Sequence, residues 1–109
     1  MTTVTFFSEG SRLVGFEMKG HSGHAPAGED IVCAALTSAV RLTECAVNDV
    51  LGLEAGVKVR EKDAYLSLKL PGKLGQTYES TCQTLLAALM VHCVSLAEEY
   101  PENISVLEV

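Results

Sequence analysis

Residues 30–52 read DIVCAALTSAVRLTECAVNDVLG. Leu36, Val40, Val47 and Val50 recur at helical spacing, Asp30 stands where an N-cap belongs, and Gly52 stands where a helix stops. The stretch predicts a helix from Asp30 to about Leu51, and what flanks it decides the fold. Upstream, residues 2–7 are rich in Thr, Val and Phe, SEGS supplies a turn, and 12–19 alternate with Val14, Phe16 and Met18 on one side, which predicts a hairpin. Downstream, Val57 and Val59 form one arm of a second hairpin and Leu66, Leu68 and Leu70 the other, turning at Lys62-Asp63. PGKLG breaks that pattern. Cys82, Leu85, Leu86, Leu89, Cys93 and Leu96 then keep the i, i+3, i+4, i+7 spacing of a second helix until Pro101 ends it, and ISVLEV closes as a strand. The order ββαββαβ predicts one α+β domain over residues 1–109, a sheet of about five strands packed on two amphipathic helices.

Composition narrows the function classes. The 109 residues suit a single core, and 48% apolar with 20% charged residues is ordinary for a globular chain. The net charge of −6 comes with no cluster of Lys and Arg along the sequence, which argues against a nucleic-acid surface and for a basic protein or peptide as partner. MTTVTFFSEG has neither a basic n-region nor a long apolar core, and no later segment reads as a membrane span, so the expectation is a cytoplasmic protein. The four cysteines at 33, 45, 82 and 93 are then expected to be reduced. Cys45, Cys82 and Cys93 fall on apolar helical faces and read as small buried hydrophobes.

Cys33 stands apart because of what precedes it. GHSGHAPAGED, residues 20–30, places Gly20, Gly23, Gly28 and two histidines between a strand and a helix, where no regular element is expected. With Asp30 as cap, Cys33 is the third helical residue, and the free N–H groups and positive dipole end there favour a thiolate. His21 directly follows a predicted strand and is the better-held imidazole; His24 lies among glycine, alanine and proline. A Cys33/His21 pair suits nucleophilic acyl transfer or peptide hydrolysis. Asp30 is a candidate for orienting the histidine, and Ser38, five residues beyond Cys33, for approaching the same site. His21, His24 and Cys33 also form a zinc-ligand set, with Glu29, Asp30 or Cys93 as a fourth donor, although no C-x-x-C is present.

The residues FEMKGHS, the twelve positions from His21 to Cys33, GEDIVCAALTSAV and a terminal EEYPENISV resemble the ribosomal-processing cysteine protease family, over nearly the whole chain. The resemblance implies a cytoplasmic endopeptidase that removes the N-terminal extension of large-subunit ribosomal protein 27 during ribosome maturation. It implies His21 as the family histidine, Cys33 as the nucleophile and Asp30 as the acidic residue before I-V-C. Gly20, Ser22, Gly23, His24 and Gly28 then belong to the substrate loop. It also implies a homodimer, for which Met90, Val91 and Val94 on the second helix offer apolar area. No cofactor, metal, membrane or direct nucleic-acid partner is expected. The alternatives are the zinc site and a non-enzymatic acidic module that binds or assembles a basic ribosomal protein.

Overall fold

Thr2–Glu9 (β1) and Arg12–Lys19 (β2) form an antiparallel hairpin, as the Thr, Val and Phe content of this stretch predicts. The computed structural model describes residues 1–20 and 27–109, with only the backbone at 27–30 and 63. Ala27–Glu44 (α1) continues without a break into a π-helical turn, Cys45–Val50, and Gly52 ends the segment at φ +68°. Gly56–Arg60 (β3) and Tyr65–Lys69 (β4) make the second hairpin around a short 3₁₀ turn, Glu61–Asp63. Gln76–Glu99 (α2) and Ile104–Glu108 (β5) complete the order. The α+β reading and its ββαββαβ sequence of elements are therefore borne out.

The five strands lie in the order β3-β4-β2-β1-β5, antiparallel except for β1 beside β5. Both helices contribute to the core against one face of the sheet. Val4, Phe6, Phe16 and Leu68 meet Leu36 and Val40 of α1 and Cys82 and Leu86 of α2 in a single buried cluster. The rings of Phe6 and Phe16 face each other across the strands with centroids 6.1 Å apart. Each helix is long and apolar enough, by length and composition, to cross a membrane, which corrects the expectation that none would be. Only part of that apolarity is the stripe each segment buries against the sheet, and Ile31, Leu42, Val50, Val91 and Val94 are exposed.

One expectation fails in the first hairpin. Val14 does not share the side of Phe16 and Met18. Phe7 pairs with Gly15 and Ser8 with Leu13, so Val14 is the extra residue of a β-bulge, and Leu13 takes the core position instead. The disturbed ladder at this point is repaired from α2. The Gln83 amide donates to the Leu13 carbonyl at 2.8 Å and accepts from the Leu13 N–H at 2.7 Å. Arg12 adds an ion pair to Glu79 and donates to the Pro71 carbonyl at 2.8 Å. The bulge thus fixes α2 against β2. It also turns the Val14–Gly15 pair toward the face of the sheet that no helix covers.

Candidate active site

β2 delivers the chain to the candidate loop at Gly20, whose φ is +87°. An added Cβ there would meet the Met1 carbonyl oxygen at 2.9 Å, so backbone angle and space both call for glycine. His21, Ser22, Gly23 and His24 follow at once and lie outside the described residues. The chain resumes at Ala27, where α1 starts. Gly28 and Asp30 are both in its first turn.

The N-cap expected at Asp30 is therefore corrected. Alanine is the strongest helix former, and the helix starts at Ala27 despite the cost of about 1 kcal/mol for Gly28 within it. Cys33 becomes the seventh helical residue instead of the third. The dipole effect falls off within the first turn, so it does not carry the activation of this thiol. Cys33 is half-buried and adjoins the stripe of Val32, Leu36 and Val40 that packs on the sheet. Asp30 precedes it by about one turn of the same helix.

Ser38 is not brought to Cys33. Five residues along an α-helix turn it about 140° away, and it lines a groove of about 410 Å³ between α1 and α2 with Leu42, Leu85 and His92. Cys33 does not line that groove.

The other three cysteines separate cleanly. Cys82 and Cys93 are fully buried in the core, whereas Cys45 is exposed, which corrects the reading of Cys45 as a buried hydrophobe. Cys45 lies about half a helical turn away from the side of Leu36, opposite the buried stripe. Burial raises the Cys82 thiol, Glu79 adds to the shift and Arg12 opposes it. Burial alone pushes Cys93 up to about 12. For Cys93 the folded-state value lies above the unfolded one, so its contribution is intact below about pH 9 and is lost as the pH rises toward 12. Unfolding free energies from urea titrations at about pH 8 to 11 are expected to fall for the wild type, by up to about 1.4 kcal/mol per pH unit from this group, and to fall less steeply for Cys93→Ala.

A sequence model of the family described as cysteine protease Prp matches residues 1–105. The chain belongs to the Prp family of cysteine proteases. The ribosomal processing cysteine protease Prp of Bacillus subtilis (strain 168) is 29% identical over 94 residues, 86% of this chain and 84% of that protein. SMU.848 from Streptococcus mutans matches with a TM-score of 0.88 at 25% identity, over the whole of this chain and 94% of that one. The ribosomal processing protease Prp of S. aureus, solved in complex with a substrate peptide, matches with a TM-score of 0.86 at 21% identity over the whole of both chains. This Prp-family chain is accordingly a cysteine protease with a five-stranded mixed sheet and two helices.

Prp membership does not account for one feature that the sequence reading missed. Sheet pairing gathers Lys19, Lys58, Arg60, Lys62 and Lys69 along two cavities that share Tyr65. These are five of the eight Lys and Arg residues of the chain, so the expectation that no basic cluster exists is corrected. The signal was the alternation of Lys58, Arg60 and Lys62 opposite the apolar Val57 and Val59.

Proposed function

We propose that this cysteine protease is the endopeptidase that removes the N-terminal extension of large-subunit ribosomal protein 27 in the cytoplasm during ribosome maturation. Cys33 is its nucleophile and His21 its base. One observation carries the choice of nucleophile. Of the four thiols, Cys33 alone is both partly accessible and close to where α1 begins, as the seventh residue of that helix. The ribosomal-processing name of the B. subtilis relative supports the substrate.

In this mechanism His21 takes the Cys33 proton as Sγ attacks the scissile carbonyl carbon, then returns it to the leaving amine as the C–N bond breaks. Water, deprotonated by the same imidazole, hydrolyses the resulting thioester. With the dipole removed from the argument, His21 bears the whole task of activating the thiol. Iodoacetamide near neutral pH is therefore expected to label Cys33 faster than the exposed Cys45, and Cys82 and Cys93 not at all until the protein unfolds. Site-resolved mass spectrometry checks the order, and His21→Ala should bring Cys33 down to the rate of Cys45.

The proposal extends to a homodimer. Val91 and Val94 are exposed on α2, beside a Met90 that packs partly on the core, and a second copy would cover them. Light scattering at micromolar concentration tests the dimer. Intact-mass analysis of the ribosomal precursor, incubated with wild type and with Cys33→Ala under reducing conditions, tests the activity. A precursor left whole by the wild type overturns the substrate assignment, and cleavage by Cys33→Ala overturns the nucleophile.

A further inference from the structure

We infer that the helix-free face of the sheet, at its β3–β4 end, is a binding surface for the phosphate backbone of single-stranded RNA. In β3 and β4 the residues Lys58, Arg60, Tyr65, Ser67 and Lys69 pair across the hairpin as Lys58 with Ser67 and Arg60 with Tyr65, which puts them on one face. β2 adds Glu17, opposite Ser67, and Lys19 two residues further on. Val57, Leu66 and Leu68, at the alternate positions, pack toward the core. Two cavities of about 480 and 490 Å³ open on this face and share Tyr65. Among the described residues they hold five cations and two acids, in a chain whose net charge is −6.

The two acids do not cancel the five cations. Glu9 lines the same cavity as Lys58 and Lys69 and offsets part of their charge. Glu17 accepts a hydrogen bond from the Tyr65 hydroxyl at 3.0 Å and sits 3.6 Å from the Lys19 ammonium, so these two charges offset each other. Glu61 lies in the hairpin turn beside Lys62 and offsets part of that charge. What remains is a net positive face carried by Lys69, Lys58 and Lys62, beside the Arg60–Tyr65 stack.

The arrangement favours a nucleic-acid strand over an acidic peptide for two reasons. Same-face residues on a strand recur about every 6.8 Å, near the separation of successive phosphates in an extended single strand. The Arg60 guanidinium carbon also lies 3.9 Å from the centroid of the Tyr65 ring, so the face carries a planar, cation-bearing stack beside its charges. Single-stranded nucleic acids are held by this combination, cations on phosphates and bases on aromatic or guanidinium planes. An acidic peptide uses only the cations. The surface is separate from Cys33, which lies on α1 against the other face, and the inference stands whether or not the proposed substrate is correct.

The test is fluorescence anisotropy of a labelled oligouridylate of about twelve nucleotides, titrated with the full chain at about 50 mM salt and again at higher salt. Micromolar binding is expected, with a log–log salt slope of about 3, as about four phosphate contacts give at about 0.7 each. Lys58→Gln with Lys69→Gln should weaken binding at least about tenfold and lower the slope by about one or more. Tyr65→Leu should weaken it while leaving the slope unchanged. Arg41→Gln, on the exposed side of α1, serves as the control and should change nothing. Thermal melts of each variant establish that it is folded, and Lys62→Gln in the turn provides a second charge deletion should the double variant unfold. No anisotropy change up to about 500 µM protein at the lower salt, equal affinity for a folded variant lacking these lysines, or tighter binding of a polyglutamate peptide of the same length would each overturn the inference.

Discussion

Cys33→Ala is expected to reduce kcat for precursor cleavage by at least about 10³-fold, and His21→Ala by a similar factor, with the double variant no worse than either single one. The two side chains act as one unit in a proton-coupled attack, so losing either leaves only whatever binding contributes. His24→Ala should retain most of the turnover, because His21 alone keeps the twelve-position spacing to Cys33. Dialysis against a chelator should leave the rate unchanged, whereas the zinc alternative requires loss of metal and of activity together in both histidine variants. Stopped kinetic time courses with a peptide spanning the cleavage site distinguish these outcomes. A His24→Ala defect equal to that of His21→Ala would move the base to the second histidine.

The second large effect is structural. Gly15→Ala would put a methyl group 2.3 Å from the Leu68 carbonyl oxygen and 3.2 Å from the Lys69 Cα, both of them backbone atoms that cannot rotate away. The clash falls between β2 and β4, which are central strands, so relief requires the second hairpin to move outward and its ladder to loosen. The expected cost is about 3 kcal/mol or more, a fall of roughly 12–25 °C in Tm for a domain of this size. Thermal unfolding followed by circular dichroism measures it. Gly10→Ala is the informative comparison, since space around that residue is open and only its φ of +63° resists a side chain. Its penalty should be about 1 kcal/mol.

Both effects bear on how far a sequence can be read. The hairpins and α2 were legible because each carries its own period: two in Val57, Val59, Leu66 and Leu68, and three to four in Cys82, Leu86, Leu89 and Cys93. The Val14 bulge was not, since alternation within β2 looks regular until β1 and β4 impose their register and Gln83 takes the freed Leu13 groups. Asp30 misled for a related reason. It is a good cap in isolation, and only the extension of α1 to Ala27 shows that the residues before it are better used as a first turn. The basic face was only partly legible, because Lys58, Arg60 and Lys62 alternate locally whereas Lys19 and Lys69 join them only through sheet pairing. In the candidate site, Cys33 was legible from its pattern with His21 and from the family likeness, while the structure moves it deeper into α1 and sends Ser38 to another groove.

The parallel pairing of β1 with β5 sets an order of events for the chain as it is made. β1 is synthesised before β2 and stands next to it almost at once, but its other neighbour, β5, comes about a hundred residues later. The Ser8 N–H finds the Val109 carbonyl, and the Val109 N–H the Phe6 carbonyl, across about a hundred residues. Until residues 104–108 arrive, an inner strand of the finished sheet presents a bare row of backbone donors and acceptors, with Val4 and Phe6 on one side. Such an edge invites pairing with any extended segment nearby. The hazard of this fold is therefore one of timing: it is greatest while β5 is unmade and is removed once residues 104–108 pair with β1.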